Sequence, residues 1–254
     1  MQFSTRLAVQ VAEEAARAAG DLQLQALRHG SAVLADTAHD TKLEIDLVCE
    51  RRISEIIQGH FPEHFVLGEE SAPEHVDAEY VWIVDPLDGT CNFERGITRF
   101  CSSIALRRGE DLIAAAVYDP NLKEMFSAGA GAGTTLNGRK VHVSNISDLS
   151  RAVLVCGFMK DEATIRLGME YMEKVIYRAK KVRVRGSAAL DLAHIACGRV
   201  DGYFEYGVKI WDIAAGILLV EEAGGWVEAK PMDSPHTYAA RVTNGKFEIP
   251  ELAY

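Results

Sequence analysis

Apolar residues recur at helical spacing along the first part of the chain. Over residues 4–29 they lie three or four positions apart, and charged residues take the other faces. The same period over residues 43–59 places isoleucines on one side, with Gly59 at the end. This period is typical of an amphipathic α-helix. The pattern therefore predicts two helices before the first strand.

Short runs of apolar, aromatic and β-branched residues predict strands after these helices. The predicted strands of this part are 65–67, 80–84, 102–106, 113–118 and 124–128, with another near Val141. Asn137 and Gly138 predict a tight hairpin turn, because both central positions of such a turn favour positive φ. The glycine-rich stretch 129–134 predicts a flexible loop.

From about residue 150 the predicted strands and helices alternate. The strands are 153–156, 182–184 and 202–206, and the helices are 162–180, 188–197 and 213–223. Such alternation is typical of an α/β arrangement. We therefore divide the chain into an N-terminal half, 1–150, with an antiparallel sheet, and a C-terminal α/β half, 151–254. No low-complexity linker separates them, so we expect the halves to pack together.

Composition limits the classes of function. The chain has 254 residues, 48% of them hydrophobic, and a formal net charge of −10. No apolar run approaches the ~20 residues of a membrane span, so we expect no membrane contact. A nucleic-acid surface needs clustered Lys and Arg, so we expect none here. Five scattered cysteines without a CxxC pair indicate reduced thiols and a cytoplasmic protein.

Acidic residues at four separate places are the candidate chemistry. Asp46 lies on the second predicted helix, Glu69 and Glu70 follow a strand, two aspartates lie within 85–90, and Asp212 begins an apolar helix. Each has an ordinary explanation when taken alone. Asp46 and the glutamates are typical solvated charges, and Asp212 is a typical helix cap.

The segment 85–90, Asp-Pro-Leu-Asp-Gly-Thr, is the most specific of the four. Asp85 and Asp88 at the end of a buried strand would repel each other unless protonated or held by cations. A proline and a glycine shape a turn that exposes the Leu87 carbonyl, an oxygen of the kind that hard cations accept. Taken alone, the segment is also explained by an Asx-type turn with solvated aspartates.

The ordered combination resembles the inositol monophosphatase family of magnesium-dependent, lithium-sensitive sugar phosphatases. Its pattern is an upstream Asp, then Gly-Glu-Glu, Asp-Pro-Ile/Leu-Asp-Gly-Thr, and Trp-Asp followed eleven residues later by Gly-Gly. The matching positions, in order, are Asp46, 68–70, 85–90, Trp211, Asp212, Gly224 and Gly225. The chain departs from the family at Cys91, where Thr is frequent and where we expect a packed side chain, and in segment 40–46, which lacks the family's Val-Thr pair.

The resemblance implies a layered α-β-α-β-α sandwich, a homodimer, and two or three Mg²⁺ ions, with Mn²⁺ as an alternative because oxygen ligands suit both. The metal ligands that it implies are Glu69, Asp85, the Leu87 carbonyl, Asp88, Asp212 and, more weakly, Glu70. Asp85 would bridge two ions, and Glu70 would assist a third through water.

The resemblance also implies in-line attack on phosphorus by a metal-activated water. Glu69 and Thr90 would orient this water, and Asp46 would fix the Thr90 hydroxyl. The implied substrate-binding residues are Asp88, Gly89, Thr90, Gly186, Ser187, Ala188, Glu205 and Asp212. Of these, Glu205 would bind hydroxyls of the leaving group.

Several alternatives stay open. The leading substrate is myo-inositol monophosphate; fructose-1,6-bisphosphate, histidinol phosphate, 3′-phosphoadenosine 5′-phosphate and NADP are alternatives, since one metal site serves all of them in the family. A protein-binding regulatory role is a third possibility, because some relatives act in this way. Arg183 and Arg185 alternate on a predicted strand and therefore share a face. Contact with substrate, contact with a second subunit and a structural ion pair all fit these arginines.

Overall fold

The computed structural model describes residues 4–29, 33–36, 41–159 and 161–252. The helices within these residues are α1 (Thr5–His29), α2 (Glu44–His60), α3 (Thr90–Glu94), α4 (Glu162–Ile176), α5 (Ala188–Ala196) and α6 (Ile210–Glu222). The strands up to residue 140 are β1 (Val33–Asp36), β2 (Thr41–Leu43), β3 (Phe65–Gly68), β4 (Tyr80–Asp88), β5 (Cys101–Arg108), β6 (Asp111–Asp119), β7 (Glu124–Gly129), β8 (Gly133–Leu136) and β9 (Arg139–Lys140). The later strands are β10 (Val153–Cys156), β11 (Lys181–Val184), β12 (Gly202–Lys209), β13 (Trp226–Pro231) and β14 (Thr237–Thr243).

The strands form a small hairpin and two large sheets. The seven-stranded sheet runs in sequence order from β3 to β9, and its pairs are antiparallel except for the parallel pair β3–β4. The five-stranded sheet has the order β11-β10-β12-β14-β13, in which β10 is parallel to both of its neighbours. The first sheet is thus mostly antiparallel, as predicted, and the second is mixed.

Three apolar cores hold the sheets and helices in layers. One core lies between α1, α2 and the seven-stranded sheet, a second surrounds α5 and α6 between the two sheets, and a third lies between the five-stranded sheet and α4. Successive side chains of β12 point to opposite faces of its sheet. Tyr203 therefore packs in the core between the two sheets, and Phe204 packs in the core on the α4 side. The α-β-α-β-α order expected from the sequence is confirmed. The division into halves at residue 150 stays a prediction.

The structure corrects several predicted boundaries. Strand β4 continues to Asp88 through an irregularity of register between Asp85 and Asp88, rather than stopping at Asp85. Helix α4 ends at Ile176, and Val141 lies beyond β9. Strands β1, β2, β8, β13 and β14 and helix α3 were not predicted, and residue 40 of the atypical segment 40–46 lies outside the described part.

The loop predicted to be flexible is anchored. Residues 129–134 form the end of β7, a turn and the start of β8. The Glu222 carboxylate at the end of α6 accepts hydrogen bonds from the amides of Gly131 and Gly133, each at 2.7 Å. The hairpin turn at Asn137 and Gly138 is confirmed by their φ angles of 50° and 75°. Across the described residues, no helix combines the length and apolar character that crossing a bilayer requires.

Candidate active site

A cleft of about 680 Å³ opens where the two sheets and α5 and α6 meet. Except for Asp46, every site residue selected from the sequence lines this cleft, and all of them lie in the described part of the chain. These lining residues are Glu69, Glu70, Asp85, Leu87, Asp88, Gly89, Thr90, Gly186, Ser187, Ala188, Glu205 and Asp212. Three of the four acidic segments thus reach one place, whereas Asp46 is not among the lining residues.

The parallel pair β3–β4 explains how two of the segments meet. Gly68 lies opposite Val84 in this ladder, so the residues that follow, Glu69 and Asp85, lie next to each other where the β3–β4 pairing ends. A 3₁₀ turn over Glu69–Ser71 then keeps both glutamates partly exposed at the cleft. The strand order therefore places carboxylates that are far apart in sequence side by side.

Asp85 shows most directly that the carboxylates converge. It is 1% exposed, and its Oδ1 accepts a hydrogen bond from the Leu87 amide at 2.9 Å. Burial raises the pKa of Asp85 well above its ordinary value, and the negative charges of Glu69, Asp88 and Asp212 raise it further. These three groups therefore act on Asp85 through space, which solvated residues of an Asx-type turn would not do.

Asp88 joins this acidic group to the predicted substrate loop. Its Oδ2 accepts hydrogen bonds from the Ser187 hydroxyl at 2.6 Å and from the Ala189 amide at 2.8 Å. Burial raises the pKa of Asp88, and these hydrogen bonds oppose the increase. The same carboxylate thus satisfies an amide at the start of α5 and fixes the loop 186–188 at the cleft.

The turn between Asp88 and α3 requires glycine. Gly89 has a φ of 99°, and a Cβ atom there would lie 2.9 Å from the Arg99 carbonyl and 3.1 Å from the Gly186 carbonyl. Helix α3 begins at Thr90, whose hydroxyl donates to the Leu87 carbonyl at 3.0 Å. The first amides of a helix have no acceptor within that helix. The first amides of α3 therefore need acceptors from outside the helix.

Asp212 combines the two explanations that the sequence allowed. It lies in the first turn of α6, and its Oδ2 accepts the Lys209 amide at 3.0 Å, as a helix cap does. Burial, followed by repulsion from Asp88, raises the pKa of Asp212 to about 7, while hydrogen bonds from Lys209 and Asp85 lower it. The residue is both a cap and a member of the acidic group.

Glu205 lies at the other side of the cleft on β12. It is 5% exposed, and its Oε2 accepts the Tyr203 hydroxyl at 2.6 Å. Burial raises the pKa of Glu205 to about 8, with contributions from Asp212 and Asp191, and the Tyr203 hydrogen bond opposes the increase. Glu205 is therefore not the surface strand residue that its sequence position alone would suggest.

Asp46 is buried, with 3% exposure, and does not carry a solvated charge. It lies in the first turn of α2, where its Oδ2 accepts the Leu43 amide at 2.7 Å. The Thr90 hydroxyl donates to the Leu87 carbonyl. The role of Asp46 in fixing Thr90 stays a prediction.

Two further expectations need correction. Strand β11 ends at Val184, so Arg185 lies past the strand and does not share a face with the exposed Arg183. Arg185 instead pairs with the buried carboxylate of Asp191 at 2.8 Å, which is the structural role left open above. Cys91 is exposed on α3 rather than packed, because its helix is short and lies at the surface.

Some residues at the cleft were not selected from the sequence. Tyr203 supports Glu205, and Asp191 lines the cleft while pairing with Arg99 and Arg185. The one sequence signal for Tyr203 was its position two residues before Glu205, since residues two apart on a strand share a face. Asp191 gave a signal only as an acidic residue inside an apolar helical stretch.

The donor set fits a hard divalent cation. Every selected donor is a carboxylate, hydroxyl or carbonyl oxygen, which suits Mg²⁺ and Mn²⁺. Mutual repulsion among buried carboxylates is the electrostatic condition that a cation relieves. No three His, Cys, Asp or Glu side chains of the described residues already stand in a coordination arrangement. The carboxylates thus converge on the cleft without forming a closed shell.

Comparison with known proteins agrees with this geometry. The sequence model of the inositol monophosphatase family matches residues 6–243. The Nus factor SuhB of Xylella fastidiosa is 38% identical over 232 residues, which cover 90% of this chain and 84% of that protein.

Two solved structures are similar over nearly the whole chain. The inositol monophosphatase of Anabaena (Nostoc) sp. PCC 7120 is 40% identical, with a TM-score of 0.81 and coverage of 95% of this chain and 92% of that one. The extragenic suppressor protein SuhB of Bartonella henselae is 34% identical, with a TM-score of 0.85 and coverage of 93% of each. The chain therefore belongs to the inositol monophosphatase family.

Proposed function

We propose that this chain is a metal-dependent phosphatase that hydrolyses a small phosphate monoester, with myo-inositol monophosphate as the substrate. Family membership supports the phosphatase class. The observation that carries the proposal is the convergence of Glu69, Asp85, Asp88 and Asp212 on one cleft, where burial and the charges of the other three raise the pKa of Asp85. The convergence costs free energy, so it needs a functional reason.

The proposed metal ligands follow from this convergence. Glu69, Asp85 and the Leu87 carbonyl would hold one Mg²⁺, and Asp85, Asp88 and Asp212 would hold a second. Glu70, partly exposed at the rim, would assist a third through water. Bound there, the cations would neutralise phosphate charge and lower the pKa of a nearby water.

The residues of the Gly89 turn would bind the phosphate group. Gly89 and Thr90 line the cleft at the start of α3, and their amides would donate to phosphate oxygens. Glu69 and the Thr90 hydroxyl would accept and orient the protons of the attacking water. The role of Asp46 would be to support Thr90 from behind the cleft.

The leaving-group side favours a neutral polyol over a second phosphate. Its carboxylates include Glu205 and Asp161, and hydrogen bonds from Thr164 lower the pKa of Asp161. Among the described residues that line the cleft, Lys209 is the lysine, and it already donates to the Thr237 hydroxyl at 2.9 Å. Among the described lining residues of this side, a second phosphate would therefore meet the charged carboxylate of Asp161 and a lysine that is already paired, whereas ring hydroxyls can donate to Glu205.

A substrate panel tests this proposal. Purified protein with Mg²⁺ should release phosphate from myo-inositol 1-phosphate with a higher kcat/KM than from fructose-1,6-bisphosphate, histidinol phosphate, 3′-phosphoadenosine 5′-phosphate or NADP. The Asp212→Asn protein is the control for contaminating phosphatases. Absence of release from every compound would reject the phosphatase, and preference for a bisphosphate would reject the substrate assignment.

A protein-binding regulatory role is a second candidate. The similar protein from Xylella fastidiosa is named Nus factor SuhB, as are others in Pasteurella multocida and Escherichia coli. A cellular complementation test separates the two roles: if Asp88→Asn abolishes phosphate release but restores the phenotype of a deletion strain, the regulatory role is favoured. The homodimer implied by the family resemblance is likewise a proposal, which sedimentation velocity would test.

A further inference from the structure

Glu50 is a buried residue of helix α2. Glu50 is 8% exposed, and its helical neighbours Ile53 and Ile57 are fully buried in the core beneath the seven-stranded sheet. A buried carboxylate is costly unless it accepts hydrogen bonds. Its Oε2 accepts the amide of Glu70 at 2.9 Å. The helix behind the sheet is thus bonded directly to the turn that carries Glu69 and Glu70.

Gly68 meets the same carboxylate from the other side. A Cβ atom on Gly68 would overlap the carboxylate carbon and both oxygens of Glu50. The backbone of Gly68 is extended, with φ of −94° and ψ of 150°, which any residue adopts. Glycine is therefore needed here for space and not for conformation. The Glu50 carboxylate occupies the space beside the last residue of β3, where the chain turns toward the cleft.

We propose that Glu50 is a positioning residue, which holds the turn Glu69–Ser71 so that Glu69 and Glu70 face Asp85. The inference rests on the metal-binding part of the proposed function. If the turn adopts the metal-binding conformation for only a fraction of the time, the apparent Kd for metal equals the intrinsic Kd divided by that fraction. A hydrogen bond to a charged acceptor changes such an equilibrium by about tenfold to a hundredfold.

Binding of Mn²⁺ without substrate tests this proposal. Electron paramagnetic resonance of free Mn²⁺ gives the apparent Kd for wild type, Glu50→Ala, Glu50→Gln and Glu55→Gln. We expect the apparent Kd for Mn²⁺ to be about tenfold higher or more in Glu50→Ala than in wild type. Glu50→Gln should stay close to wild type, because its amide oxygen can accept the same hydrogen bond. The control Glu55→Gln, exposed on the same helix, should bind like wild type.

Gly68→Ala provides an independent variant if Glu50→Ala does not fold. Its methyl group displaces the Glu50 carboxylate and should also weaken Mn²⁺ binding. Turnover of either variant should approach that of wild type at saturating Mg²⁺, which a general loss of structure would not allow.

Three results would overturn the inference alone: wild-type affinity in folded Glu50→Ala, wild-type affinity in Gly68→Ala, or a loss in Glu50→Gln as large as in Glu50→Ala. Absence of Mn²⁺ binding by wild type would overturn the proposed metal-dependent function together with it.

Discussion

Replacing Glu205 by glutamine should stabilise the metal-free protein while impairing its activity. The side chain is 5% exposed, and burial raises its pKa to about 8 from an ordinary value of 4.5. Between these two values the folded protein binds more protons than the unfolded chain. The free energy of unfolding of the wild type therefore falls as the pH rises through this window.

The size of the effect follows from the separation of the two pKa values. Ionised Glu205 destabilises the folded state by up to about 4 kcal/mol near pH 8, and by almost nothing below the pKa of the unfolded chain. Glutamine has nearly the same shape, cannot ionise, and offers a carbonyl oxygen to the Tyr203 hydroxyl. The stability gained by Glu205→Gln should thus grow with pH, to about 2–4 kcal/mol near pH 8.

Urea denaturation of the metal-free proteins, followed by tryptophan fluorescence at about pH 5 and about pH 8, measures this gain. Glu248→Gln, exposed near the C-terminal end, is the control and should change stability little at either pH. In parallel, kcat/KM for myo-inositol 1-phosphate should fall in Glu205→Gln, since the side chain can no longer ionise to form a stronger acceptor for ring hydroxyls. A variant that is no more stable than wild type at the higher pH would refute the reasoning.

Three other substitutions or additions test neighbouring parts of the site. Asp212→Asn should lower kcat by about a hundredfold or more while circular dichroism stays native, because asparagine still accepts the Lys209 amide; near-normal turnover would make Asp212 a cap only. Tyr203→Phe removes a hydrogen bond of about 1.5–3 kcal/mol and should raise the pKa of Glu205 further, so the pH dependence of the unfolding free energy should extend to higher pH; an unchanged profile would contradict this. Lithium should inhibit phosphate release at millimolar concentrations or below, and full activity there would argue against intact second-metal ligands.

Sequence patterns predicted the elements whose signals are local. Helices α1 and α2 and the strands β5 and β6 have clear periodicity, and each was found within a few residues of its expected range. Strands β13 and β14 were missed. Polar residues such as Glu228 and Lys230 interrupt the apolar pattern of β13, and β14 joins its hairpin with β13 to the sheet by pairing with β12, which is distant in sequence. Strand pairing of this kind depends on tertiary contacts that no local window contains.

The residues of the candidate site likewise fall into those that the sequence indicated and those that it did not. The acidic segments could be selected from sequence because each stands beside a strand end or helix start, and their ordered combination is specific. Glu50 and Tyr203 could not be, since a glutamate in an amphipathic helix and a tyrosine in a strand are both common. Their roles become visible only when Glu50 is found against Gly68, and Tyr203 against Glu205.

Thermal unfolding with and without Mg²⁺ most directly tests whether the buried carboxylates form a cation site. Binding to the folded state raises the midpoint by an amount that grows with Mg²⁺ concentration. We predict that Mg²⁺ raises the Tm of wild type, and that Asp85→Asn has a higher Tm than wild type without metal but little response to Mg²⁺. If Mg²⁺ leaves the Tm of wild type unchanged, or raises the Tm of Asp85→Asn by as much as that of wild type, the buried carboxylates do not form the proposed cation site.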